Sequence, residues 1–165
     1  MVNGLGGILK AFAALSLLIP ATASTEATVP FASKTWGLRI VELTNPGTSN
    51  AVLTARISTS TAREYCDRNP RGETIGHGRK MAKAQCVRRL LAKEGTRTYT
   101  FKANCQKRSI RIHGSWFTLL RQNRDGDMLW REVATNRTLG TDGADNHGVH
   151  NLQYRALCPG ARVTD

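Results

Sequence analysis

The sequence predicts an exported α+β domain: a short N-terminal helical pair followed by a five-stranded antiparallel curled sheet or small partly closed barrel, held by two disulfides. Three observations predict it. Residues 97–105, RTYTFKANC, alternate cleanly, with Tyr99, Phe101, Ala103 and Cys105 on one face and Thr98, Thr100, Lys102 and Asn104 on the other, the pattern of a half-buried strand. Residues 79–94 instead place Ala82, Cys86, Val87, Leu90 and Leu91 at helical spacing. Four cysteines, Cys66, Cys86, Cys105 and Cys158, are an even number in a chain that opens on an export pattern, which implies two bridges and leaves three pairings open.

The export pattern lies in residues 1–23. Lys10 is the only charge before Glu26, an apolar run covers Ala11 to Ile19, and Pro20 is followed by Ala21-Thr22-Ala23. A short basic region, an apolar stretch of this length and a small-residue site are the parts of a secretory signal peptide, with cleavage expected after Ala23. The run falls short of the ~20 residues of a spanning helix, and no later stretch supplies one, so no membrane span is expected after cleavage. Cleavage leaves 142 residues, one domain's worth, and lowers the formal charge from +12 to +11, since Lys10 alone is lost. A surface this basic favours acidic partners, here an anionic envelope or host component. Nucleic acid is not expected of an exported chain that lacks a recognition-helix, RNA-binding or zinc-finger signature.

Residues 24–60 read as a leader with a hairpin. Residues 24–35 are small, polar and interrupted by Pro30; Trp36 to Thr44 has strand character; Asn45-Pro46-Gly47 is a turn; Ala51 to Ile57 fits strand or helix. A disulfide-stapled domain, 61–165, follows. Thr61 with Glu64 three residues on has the form of a capping box, so a short helix should carry Cys66 and stop near Asn69-Pro70. The second helix, 79–94, should end at Gly95 and presents Arg79, Lys80, Lys83, Arg88 and Lys93 away from its apolar face. Cys66 and Cys86 would then staple the helical pair.

From Thr96 the pattern is β. After 97–105 come Ser109 to His113, a turn at Gly114, Ser115 to Gln122, a hairpin turn at Arg124-Asp125-Gly126-Asp127, and Met128 to Ala134 with Trp130 as core anchor. A long loop, 135–151, precedes Leu152 to Cys158, where Tyr154, Ala156 and Cys158 alternate as in a last strand. Strands one and five are neighbours in a closed sheet, so Cys105 and Cys158 should bridge them and remove two open edges.

The candidates for chemistry are few. Asp142, Asp145, His147 and His150 stand in the long loop, but its glycines favour a mobile polar loop over a preorganised metal site. The cysteines show no C-x-x-C spacing, and no metal or other cofactor is expected. Ser115 with His113 and Asp125 or Asp127 can be written as a hydrolytic set, but the G-x-S-x-G elbow is missing. The basic clusters are more numerous: Arg79, Lys80, Lys83 and Arg88 on the second helix, and Lys107, Arg108 and Arg111 around the first β turn, form the candidate anion-binding set.

The run Ala62-Arg63-Glu64-Tyr65-Cys66-Asp67-Arg68, then Cys86-Val87, then Tyr99 to Cys105, then Trp130, then Ala156-Leu157-Cys158-Pro159-Gly160, resembles small exported rhizobial proteins of the nodule formation efficiency C type. The resemblance covers roughly residues 60–160, by motif order. It implies a non-catalytic accessory protein that affects nodulation or host interaction, and it supplies no catalytic residue. The expectation is therefore an exported, non-enzymatic binding protein acting through a basic surface. A small secreted hydrolase using His113 or His147, and a structural component of the cell envelope, are the rival classes.

Overall fold

The computed structural model describes residues 26–31, 36–69, 81–122, 128–139 and 147–161. Eight strands form one antiparallel sheet, each paired with its neighbour in the chain. They are β1 (Thr28–Pro30), β2 (Gly37–Thr44), β3 (Ala51–Arg56), β4 (Tyr99–Asn104), β5 (Ser109–Ile112), β6 (Ser115–Gln122), β7 (Met128–Glu132) and β8 (Thr138–Leu139). Helices α1 (Thr59–Arg68) and α2 (Lys83–Glu94) are inserted between β3 and β4, and α3 (His147–Leu157) ends the described chain.

This corrects the expected architecture in two places. The sheet is open and has eight strands, and three of them precede the helical pair. The segment read as a leader with a hairpin supplies β1 and the β2–β3 hairpin, and β3 pairs with β4 across the whole helical insertion, Ala51 opposite Ala103 and Ala55 opposite Tyr99. The expected last strand, Leu152 to Cys158, is the second half of α3 with Cys158 just past its end. The reason is a spacing of four. Tyr154 and Cys158 share a face in a strand and also in a helix, so these two residues do not distinguish the periods. Burial does: Val149, Tyr154, Leu157 and Cys158 face the core, whereas Leu152 is 42% exposed.

The core lies on one face of the sheet. Alternation puts Leu38, Ala51, Leu53, Ala55, Phe101, Ala103, Ile110, Phe117, Leu119 and Trp130 inward, and α3 packs on that face. It touches β1, β3, β4, β5 and β7. In a flat sheet β1 and β7 would be ~29 Å apart, whereas the 11 residues of α3 span ~17 Å, so the sheet curls around the helix. Trp130 fixes the seat of α3: its ring lies 5.1 Å edge-on to Tyr154, and its Nε1 donates a buried 2.8 Å hydrogen bond to Asn151 Oδ1.

Both bridges pair as preferred from the sequence, Cys66–Cys86 and Cys105–Cys158. The first staples α1 to α2. The second runs from the end of β4 to the end of α3, so it locks the helix onto the sheet instead of joining two strands. Helix α1 starts one turn earlier than the Thr61/Glu64 pattern implies. Ser58 is its N-cap, Thr61 Oγ1 accepts from Ser58 N at 2.9 Å, and Glu64 pairs with Arg68 at 2.7 Å. A threonine hydroxyl at the third helical position can close the reciprocal cap as a glutamate would, which shifts the helix start. Residues 1–25 and 70–80, which include the expected signal, Arg79 and Lys80, lie outside the described residues.

Candidate binding cleft

Strands β4 and β5 pair only at Ala103–Ile110 and Asn104–Ser109. Continued in register, Lys102 would face Arg111 and Phe101 would face Ile112. They do not pair; the two strands part, and a cleft of about 460 Å³ opens between them. In a strand, the backbone groups of alternate residues point to opposite sides. Every second residue of the 99–102 stretch therefore turns its N–H and C=O toward the cleft instead of toward a neighbouring strand.

The walls come from four elements. Phe31 follows β1, Tyr99 to Lys102 line one side, Arg111 to Gly114 the other, and His150 and Gln153 of α3 close the inner end. The Phe31 and Tyr99 rings pack at a 53° tilt with centroids 4.3 Å apart, giving one end an aromatic floor. Basic and titratable side chains complete the lining. Lys102 and Arg111 enter from the outward rows of their strands, and the His113 and His150 rings meet edge-on at 6.3 Å.

Local hydrogen bonds set these side chains. Gln153 Nε2 donates to the Pro30 carbonyl at 2.9 Å, which pins the end of β1 to α3. Its Oε1 then accepts from His150 Nδ1 at 3.1 Å, so neutral His150 carries its proton on Nδ1. Arg111 Nε donates to the Gly114 carbonyl at 3.1 Å. The β5–β6 hairpin turns in two residues, His113 at φ 47° and Gly114 at φ 92°. Positive φ at both central residues is the type I′ condition, which glycine and asparagine adopt most readily and histidine less readily. Tyr99 Oη donates to Glu94 Oε2 at 2.5 Å, and Glu94 also pairs with Arg97 at 3.0 Å. Burial, then the Glu94 carboxylate, pushes the Tyr99 phenol up to about 12.

The candidate residues from sequence divide between several places. Arg111, His113 and His150 come together in the cleft. Lys107 lines a different groove on the outer face of the sheet, beside Lys102. Arg108 occupies the β4–β5 turn at φ 48°. Lys83 and Arg88 are exposed on α2, with Lys83 bridged to Asp67 at 2.6 Å. Ser115 hydrogen-bonds to Glu132, whose carboxyl is held below its ordinary range mainly by the Thr135 hydroxyl. His147 opens α3 in place of the expected loop, whereas Asp125, Asp127, Asp142 and Asp145 lie outside the described residues. Among the described residues no cluster of three or more His, Cys, Asp or Glu converges as a metal site would need.

Alternation alone does not flag Lys102, Phe31 or Gln153 as site residues, because it says which way a side chain points and not whether the next strand stays paired. No family model, curated protein or solved structure matches this chain.

Proposed function

We propose that this chain is an exported, non-catalytic binding protein whose ligand enters the β4–β5 cleft and presents an anionic group to Lys102 and Arg111. The observation that carries the proposal is the parting of two central strands. Leaving backbone groups without their ladder partners costs stability, and a preformed concavity with an apolar floor and a few convergent polar groups is the usual form of a small-ligand site. Phe31 and Tyr99 suit an apolar or aryl body, and the two cations suit a carboxylate or phosphate. Two disulfides are compatible with folding in an oxidising compartment, and no described helix is long and apolar enough to cross a membrane. The nodulation setting rests on the sequence resemblance alone, and the binding reading does not require it.

The test is a thermal-shift and calorimetric panel of small aryl and alkyl carboxylates and phosphates, each matched with its neutral amide or ester. Acids should bind and their neutral partners should not. Arg111→Gln and Lys102→Gln should each weaken binding roughly tenfold, the size of one charge-assisted hydrogen bond. Equal binding of acids and amides, or unchanged affinity in both variants, refutes the proposal.

A further inference from the structure

The outer face of the sheet carries a second feature, which shares Lys102 with the cleft. We propose that a groove over β3 to β7, centred on Trp116, is a docking site for an acidic polysaccharide of the polyuronate class. The groove measures about 530 Å³ and lies against Val52, Lys102, Lys107, Trp116 and Val133.

Register builds this site. Val52 pairs with Lys102 and Arg111 pairs with Trp116, two outward-facing pairs on either side of the gap where β4 and β5 part. The two pairs face outward together, and the Val133 amide donates to the Trp116 carbonyl at 2.9 Å beyond the second. Lys102 and Trp116 stand on β4 and β6, more than two strand spacings (about 10 Å) apart because β4 and β5 part between them, a span for a short oligosaccharide. Side chains capable of meeting sugar hydroxyls, Asn104 and Thr118, line the groove beside these pairs.

Trp116 is the decisive residue. The chain has three tryptophans. Trp36 and Trp130 are 3% and 0% exposed, whereas Trp116 is 39% exposed on the open face. A large amphipathic ring left in solvent, next to Val133 at 61% exposure, is a surface that something apolar on one side and polar on the other would cover. The face of a sugar ring has that character. Charge then selects among sugars: outward positions of the described strands carry Arg39, Arg56, Lys102, Arg111 and Arg131 against Glu42, and Arg39 is already bridged to Glu26. The carboxylates of a polyuronate complement that excess. A single-stranded nucleic acid is matched less well, since it is held by successive stacking aromatics, and here one ring stands among amides and hydroxyls.

The position of Trp116 provides the readout. As the exposed member of the three, it dominates any change in tryptophan emission or acrylamide quenching on ligand addition. The disulfide-intact protein is titrated with oligogalacturonate at 0.15 M salt, alongside methyl-esterified oligogalacturonate, an oligothymidylate of equal charge and anionic phospholipid vesicles. The expected result is a blue shift and protection from quenching with the free acid alone. Trp116→Ala should weaken binding at least tenfold by calorimetry, and Lys102→Gln with Lys107→Gln should do so together, with far-UV circular dichroism unchanged because all three side chains point outward. His150→Ala, which alters the cleft, should leave oligogalacturonate affinity unchanged. Equal binding of the methyl ester overturns the role of charge. Equal protection by oligothymidylate or by vesicles shows bare anion attraction and overturns the assignment to polysaccharide. Binding that survives Trp116→Ala overturns the site.

Discussion

Replacing Cys105 and Cys158 together by alanine isolates the contribution of the bridge that holds α3. The bridge closes 53 residues of chain, from the end of β4 to the end of α3. In the chain-entropy treatment a loop of this length restricts the unfolded state by about 4 kcal/mol, against about 3 kcal/mol for the 20-residue separation of Cys66 and Cys86. Small domains have only about 5–15 kcal/mol in total, so the loss is large for a protein of this size. Two features of the structure argue that the folded state survives it. Trp130 still hydrogen-bonds Asn151, and Tyr154 and Leu157 remain buried against the sheet. The assay is urea unfolding of both double-alanine proteins under non-reducing conditions, followed by tryptophan fluorescence and circular dichroism. The Cys105/Cys158 pair should lower stability by about 4 kcal/mol and raise the denaturant slope, because the unfolded chain expands when the cross-link is gone. A smaller loss than that of the Cys66/Cys86 pair would refute the reasoning, since the longer loop would then not be the stronger constraint.

Three further outcomes are expected. The Tyr99 phenol, raised from 10.0 to about 12 in the fold, contributes stability that is complete below pH 10 and is lost as pH rises toward and through 12; Tyr99→Phe should flatten that alkaline decline in a pH series of thermal melts. Tyr154 Oη is buried with no hydrogen-bond partner among the described residues, so Tyr154→Phe should leave stability unchanged or raise it by up to ~2 kcal/mol in urea unfolding, and a loss above ~1 kcal/mol would contradict this placement. His113→Asn suits the left-handed backbone of the turn and should raise the melting temperature by an amount corresponding to ~1 kcal/mol while weakening acid binding in the cleft; a rise in stability with unchanged affinity would show that the strained histidine serves no ligand.

The parts of the molecule legible in the sequence are those set by neighbours in the chain. The alternation of 97–105 places Phe101 and Ala103 in the core, and the hairpins β5–β6 and β6–β7 follow from local turn signals; the two disulfide pairs match the sequence reading although its premise, one helical module before one β module, does not hold. Of the candidate site, Arg111, His113 and His150 are noticeable in sequence as cations and titratable groups. Their convergence is not, because His150 reaches the cleft only on a helix that the spacing of Tyr154 and Cys158 fails to distinguish from a strand.

Tertiary structure decided the rest. Sequence by itself determined an apolar and polar pattern, a basic surface and an even set of cysteines, since these depend on residue type and short spacing. It did not determine that β3 pairs with β4 across a 42-residue insertion between Arg56 and Tyr99, because strand pairing over such a distance is chosen by the whole sheet. Nor did it determine that β4 and β5 part after Ala103 and Ile110. The gap is lined by Phe31, His150 and Gln153, brought from both ends of the described chain, and no local pattern encodes where distant side chains meet.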